Sequence, residues 1–335
     1  MLKTLVRCAT IALILLPVAA VGEAIKLKLA YYGSDQTRSY ISAIKPFVDA
    51  INGDEKGDII IETYSGGALG MDPGQQVQLV RDGVADIAFF VLGPVADQFK
   101  DHAVIELPGL FRDIREATLV NTRLVASGIL QGYDDFFVIG AFATEPQSIH
   151  TRAPVVSLGD LKDKRIRANN PIEASTLAKL GMYSVVLPIG RTPEAISRGT
   201  IDGAATATAP LIDFGLGRLV TYHYYLRLGP SVLSILMNRR KFESLPKTAR
   251  DVIRKYGGEW LAERFIKGYE VYNAGLLEQL KSEPLHKVIY PSQSETDVAE
   301  EAFRAVRAEW ADASPHHRQL LNAVEAEILK FRSGH

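Results

Sequence analysis

The chain has 335 residues, with 38 basic against 39 acidic side chains, a net charge of −1, 47% hydrophobic residues and one cysteine. At roughly 150 residues per domain the length predicts two domains, large enough to bury their cores without staples. Balanced charge argues against a nucleic-acid binder, which draws on a basic surplus. A lone cysteine excludes a disulfide framework or a cysteine-rich metal site.

The N-terminus reads as a leader. Lys3 and Arg7 precede the segment 8–21, which is apolar except for Thr10, and Gly22 and Ala24 put small residues at −3 and −1 of a cut after Ala24. This is the three-part pattern of a secretory signal over 1–24. The apolar run is shorter than the roughly 20 residues that span a bilayer, and Pro17 interrupts it. Cys8 precedes most of that run, which does not suit lipid attachment. No second long apolar run follows, so the mature chain is expected to be exported and soluble.

Strands then alternate with helices. Residues 25–31 read as a strand, with Ile25, Leu27 and Leu29 alternating against Lys26 and Lys28. A helix is predicted over 37–51, with Tyr40, Ile41, Ile44, Phe47, Val48 and Ile51 on one stripe. Strand 58–64 follows, then a helix from Pro73 to Arg81 capped by Gly83, then strand 86–91. This βαβαβ order predicts a largely parallel sheet with right-handed crossovers. The middle repeats the plan: strand 164–168, helix 172–180, strand 185–187, a helix from Thr192 to Gly199 and a strand near Ile201. Segments 81–88 (RDGVADIA) and 197–204 (SRGTIDGA) are alike. Each is a helix end, a capping glycine, then an aspartate leading a strand, which suits two lobes on one plan or a coincidence common in α/β chains. From Pro246 onward the chain is predicted helical, over 247–257, 260–280, 296–311 and 315–332, with a short strand at 288–290. The interleaved charges there suit solvated faces.

Catalytic motifs are missing: there is no nucleophile elbow, P-loop, dinucleotide fingerprint or zinc-protease helix motif. His316 and His317 are adjacent and so face different ways on a helix, a poor metal pair. His150 near the predicted crossover suits either a ligand contact or a structural role. Gly66 and Gly67 suit an anion-cradling turn or, more simply, a turn. The strand at 164–168 places Arg165 and Arg167 on the face opposite Ile166. Arg167 lies nearer the carboxyl end, where ligands sit in open α/β sheets and where a guanidinium can grip a carboxylate with two bonds. From spacing alone a solvated strand-end arginine is the favoured reading.

The run 158–167 (LGDLKDKRIR) resembles the "DLKGxKIR" segment of DctP-type extracytoplasmic solute receptors, which serve tripartite ATP-independent periplasmic (TRAP) transporters. Segments 67–70 (GALG), 80–88 (VRDGVADIA), 106–113 (ELPGLFRD) and 199–203 (GTIDG, against "GxVDG") are similar to the family in order and spacing. The resemblance covers most of the mature chain. It implies a two-lobed periplasmic-binding-protein (Venus-flytrap) α/β fold with parallel-rich sheets and extra C-terminal helices. The lobes would close on a small organic acid, with Arg167 matching the family's carboxylate-binding arginine. Membrane permease subunits would be the protein partners; no cofactor, metal, nucleic acid or catalytic residue is implied. Three positions depart from the family: its second arginine falls at Pro146 or Gln147, a usual glutamate is replaced by Arg191, and an asparagine falls near Thr206. The expected ligand is therefore a monocarboxylate with an apolar or aromatic body. Candidate ligand contacts are Arg167, Asn169, Thr206, Phe90, Tyr32, Arg191 and Phe214. Tyr31, Phe89 and Tyr183 are further aromatics for the cleft, with core packing the simpler role for most of these rings. The expected organisation is leader 1–24, lobe I over 25–147, lobe II over 148–236, and 237–335 returning to lobe I with helices spanning the lobes. Crossings are expected near 145–152 and 233–240. A receptor for another transporter or a sensor is the alternative, and a periplasmic enzyme of similar fold a weaker one.

Overall fold

In a computed structural model, residues 24–334 are described; the leader expected over 1–24 lies outside them except for Ala24. The first sheet has the order β2-β1-β3-β10-β4. Its strands are β1 (Ile25–Ala30), β2 (Ile59–Tyr64), β3 (Ile87–Val91), β4 (Phe136–Ala143) and β10 (Val232–Asn238). The second has the order β11-β9-β5-β8-β6-β7. It is built from β5 (Ser148–Thr151), β6 (Arg165–Ala168), β7 (Tyr183–Val186), β8 (Gly203–Thr206), β9 (Tyr222–Tyr224) and β11 (Lys287–Ile289).

Parallel pairing runs through β2-β1-β3 and β7-β6-β8, as the alternation of strands and helices predicts. In β1 the alternation becomes burial: Leu27 and Leu29 are fully buried while Lys26 and Lys28 are exposed. Helices α1 (Lys45–Asn52), α2 (Gln76–Arg81) and α3 (Ile114–Ala126) serve the first sheet, and α4 (Pro171–Lys179), α5 (Thr192–Ser197) and α6 (Pro210–Asp213) the second. The helix predicted over 37–51 is divided: Tyr40–Ile44 forms a π-helical turn before α1. Pro46 explains the break, because it has no N–H to give to the carbonyl four residues earlier.

The sequence repeat is a structural repeat. Asp86 accepts the Lys28 backbone N–H through Oδ2 at 2.8 Å, and Asp202 does the same for Arg165 at 2.8 Å. Each aspartate thus ties the start of its strand to the parallel neighbour, behind a glycine with positive φ: Gly83 at 71° and Gly199 at 69°. Only glycine takes that conformation without strain.

The chain leaves the first sheet after β4 and rejoins it at β10. Sheet membership therefore puts the second crossing at 225–231, upstream of the expected 233–240. The C-terminal elements are α7 (Arg239–Ser244), α8 (Lys247–Lys255), α9 (Gly258–Ser282), α10 (Gln293–Asp312) and α11 (Pro315–Arg332). Two of them join the cores. The first part of α9 buries Leu261, Phe265 and Ile266 with the first sheet, and its last turns bury Leu276 and Leu280 with Ile196 and Leu211 of the second. Likewise α10 buries Phe303 beside Ile166 and Val306 beside Phe136. No helix among the described residues is long and apolar enough to cross a membrane.

Candidate functional site

The carboxyl ends of β1, β3, β6 and β8 converge on one cavity of about 60 Å³ between the sheets. Larger grooves exist, about 460 Å³ beside Arg112 and Tyr290 and about 830 Å³ along the outer face of α9, but both are more open to solvent. Size does not decide between them; the small cavity is where a desolvated charge faces the space.

That charge is Arg167, which is 2% exposed. It pairs with Ala204 of β8, and the small side chains of Gly203, Ala204 and Ala205 leave room for its guanidinium. Nε donates to the Leu187 carbonyl at 2.9 Å, Nη1 to the Ala205 carbonyl at 3.2 Å and Nη2 to Asn169 Oδ1 at 2.9 Å. Arg165, one alternation earlier, is instead exposed and ion-paired with Asp202. A guanidinium has five N–H donors, so Arg167 keeps two. Among the described residues no carboxylate lies within ion-pair distance of it. Burial pulls its pKa down to about 10, and Glu173 opposes that shift, so it remains charged at neutral pH.

Glu173 is the acid whose charge acts on it. Burial pushes Glu173 up to about 7, and burial with the charge of Glu173 pushes Glu106 up to about 8. Near neutrality Glu106 is therefore mostly protonated and Glu173 about half ionised, so the charge of Arg167 is offset only in part. Glu173 Oε2 accepts the Asn169 backbone N–H at 2.6 Å and so holds the loop that carries Asn169. Asn169 Nδ2 then donates to Ser231 Oγ at 3.2 Å, across to the segment entering β10.

The remaining walls are mostly aromatic and hydroxylated. Tyr32 and Phe214 line the space, as does Thr206, whose hydroxyl has no partner among the described residues. Tyr31 donates from its hydroxyl to Thr37 Oγ1 at 2.7 Å, since that oxygen gives its own proton to the Ser34 carbonyl. Tyr269, from α9, meets Ser39 Oγ at 2.7 Å. Burial holds the hydroxyls of Tyr32 and Tyr269 far above their ordinary pKa, so both are neutral.

Five of the seven candidate contacts therefore meet in the cavity: Arg167, Asn169, Thr206, Tyr32 and Phe214. Two do not. Phe90 is fully buried on the other face of β3 beside Phe136, at 6.0 Å between ring centroids, while its neighbour Val91 faces the cavity. Arg191 is exposed, at the end of the 3-10 turn Ile189–Arg191 whose Ile189 lines the space. Gln147, at the family's second arginine position, donates to the Gly229 carbonyl at 3.1 Å, and Pro146 lines the 460 Å³ groove instead. Arg167 is thus the one cation among the described lining residues.

The other features singled out in the sequence have structural roles. Phe89 packs in the first core, and Tyr183 is 63% exposed on the edge strand. The N–H groups of Gly66 and Gly67 are spent on the carbonyls of Gly33 and Tyr31. His150 is fully buried; its Nδ1 meets His223 Nδ1 at 2.9 Å and its Nε2 meets the Thr206 carbonyl at 3.3 Å. His316 Nε2 meets Asp101 Oδ1 at 2.9 Å, and His317 stacks on Trp310. His223 Nε2 in turn meets His286 Nδ1 at 2.9 Å, and no group of three His, Cys, Asp or Glu side chains among the described residues is placed to hold a metal ion.

Sequence reasoning missed Asp213, Tyr269, Ser39 and Ser231. Asp213 directly precedes Phe214 and could have been weighed with it. Nothing local to Tyr269 marks it, because it lies mid-way along a long helix.

The sequence profile of the family described as bacterial extracellular solute-binding protein, family 7 (DctP), matches residues 29–313. A solute-binding protein of Verminephrobacter eiseniae is 24% identical over 213 residues, which cover 61% of this chain and 62% of that relative's length. In structure, the chain is similar to a TRAP solute-binding protein of a marine metagenome, solved with metahydroxyphenylacetate, at a TM-score of 0.85. The two are 24% identical, and the match covers 91% of this chain and 99% of that one. A TRAP solute-binding protein of Rhodoferax ferrireducens T118, solved with copurified benzoate, matches at a TM-score of 0.84 and 23% identity, covering 92% and 99%.

Proposed function

The chain belongs to the DctP family, the solute receptors of TRAP transporters, and on that premise we propose that its cavity captures an aromatic monocarboxylate. The protein is a receptor rather than an enzyme. In this reading it is exported by the leader 1–24, closes on the acid in the periplasm and hands it to the membrane permease subunits.

One observation carries the proposal. Arg167 is a buried cation with two N–H donors unspent and no carboxylate partner among the described residues. A desolvated charge of this kind is costly until an anion replaces the lost water. A single cation suits one carboxylate, and the rings of Tyr31, Tyr32, Phe214 and Tyr269 suit a flat apolar body. The neighbours solved with metahydroxyphenylacetate and benzoate support the same class.

A thermal-shift series tests this, since a ligand bound only by the folded state raises the melting temperature. Benzoate and mandelate should raise it by several degrees at saturating concentration, and succinate should not. A larger shift with dicarboxylates than with matched monocarboxylates would mean that a second cation reaches the ligand, and the reading would fail.

A further inference from the structure

The cavity has two chemically distinct polar positions. Asp213, the last residue of α6, lines it together with Arg167. Arg167 is bonded to Leu187, Ala205 and Asn169, whereas Asp213 is bonded to Arg38, and no hydrogen bond or ion pair joins the two side chains. Tyr31 and Tyr269 feel Asp213. The acid is therefore a separate polar position on the cavity wall, tied to a different segment from the one that holds the guanidinium.

The polar groups around Asp213 are nearly all committed. Tyr31 has given its proton to Thr37, and Ser39 and Tyr269 are bonded to each other. Asp213 Oδ2 accepts the Arg38 backbone N–H at 2.9 Å, a bond that crosses between the two sheets' segments. Its Oδ1 has no partner among the described residues. The Arg38 guanidinium does not ion-pair with it but lies over the Tyr272 ring, 3.9 Å from the centroid. One carboxylate oxygen thus remains as an uncommitted acceptor on the cavity wall.

We propose that Asp213 is the specificity-determining residue at this second position, receiving a hydrogen-bond donor on the ligand. The acid captured is then an aromatic monocarboxylate that bears a hydroxyl or amino group away from its carboxylate. This rests on the reading of Arg167 as the carboxylate anchor. A site built to accept a donor discriminates against analogues lacking it, because the half-buried acceptor, once covered by the bound ring, is left unpaired.

Calorimetry with near-isosteric pairs tests it: 3-hydroxybenzoate against 3-fluorobenzoate, and 4-hydroxybenzoate against 4-fluorobenzoate. Fluorine has about the size of a hydroxyl but cannot donate. In the wild type one hydroxy acid should bind at least tenfold more tightly than its fluoro partner. In Asp213→Asn the Arg38 N–H claims the amide oxygen, the NH2 group faces the cavity, and the ratio should fall below about threefold. A ratio within one protein is insensitive to a general loss of affinity.

The wild type supplies a second measurement that needs no variant. Burial pushes the Asp213 carboxyl up to about 6, against the lowering effect of the Arg38 N–H and charge. The carboxylate is the better acceptor, so the hydroxy-to-fluoro ratio should rise as pH goes from 5 to 7. The tyrosines facing Asp213 stay neutral over that window: Tyr31, Tyr32, Tyr269 and Tyr272 are held above their ordinary pKa. Glu106 and Glu173 act at the carboxylate position, common to both ligands. A ratio near one at every pH, with benzoate bound and lost in Arg167→Ala, overturns the Asp213 inference and leaves the receptor reading standing. No binding by any of these acids overturns both.

Discussion

Arg167→Ala removes the group on which the functional reading turns. If Arg167 anchors the ligand, a bound carboxylate faces the two free guanidinium N–H groups, and deleting one side of such a buried pair costs about 2–5 kcal/mol. At 1.4 kcal/mol per factor of ten, affinity should fall by about 30-fold to several thousand-fold. The free protein should respond differently. Its guanidinium donates three internal hydrogen bonds, each contributing about 1 kcal/mol. Against them stands the desolvated charge: a pKa drawn from 12.5 to about 10 corresponds to about 3 kcal/mol of penalty. The two nearly cancel, so the melting temperature without ligand should move by only a few degrees, although the side chain is buried and not, as its strand-end position suggests, solvated. Arg167→Lys returns the charge without the planar fork and should recover part of the affinity. Titration calorimetry with benzoate and scanning calorimetry of the three apo proteins read both quantities. If Arg167→Ala binds within threefold of wild type, the anchor assignment is refuted.

Three further outcomes are expected. A Cβ added at Gly93 would stand 2.5 Å from Asn169 Nδ2 and 2.9 Å from its carbonyl oxygen, so Gly93→Ala should prop the two segments apart and weaken the acid. Its scattering curve in saturating ligand should stay near that of the apo protein, whereas wild type compacts on closure; superimposable wild-type curves would count against a hinge. Arg191→Ala, at an exposed turn, should leave affinity within twofold, and a large loss would return Arg191 to the site. Burial depresses His150 to about 4 from 6.5, so the unfolded chain binds a proton that the folded one refuses. That stability contribution is complete above about pH 6.5 and is lost as pH falls toward 4, up to about 3 kcal/mol. Chemical denaturation of wild type and His150→Gln should show this acid-side difference; parallel pH profiles would refute it.

Much of the fold follows from short-range pattern. Alternation in 25–31 and the order of strands and helices determined the parallel runs β2-β1-β3 and β7-β6-β8, though not the antiparallel pairs of β10 and β5, and the paired Gly83-Asp86 and Gly199-Asp202 segments determined two sheets with the same entry geometry. The resemblance of 158–167 to a family motif picked out Arg167 where spacing alone favoured a solvated arginine. Tertiary structure decided the rest. A period of two says that Phe90 and Val91 face opposite ways, but not which face meets the cavity; the packing of Phe90 against Phe136 settled that. The turn that brings Ile189 to the cavity wall turns Arg191 outward. Asp213 and Tyr269 reach the cavity from α6 and α9, whose local sequences carry no mark of a shared site. The charge state of the cavity is likewise a property of the assembly. Whether Arg167 has a counter-ion depends on every group within a few ångströms of it, and those groups are brought there by strands and loops far apart in the chain.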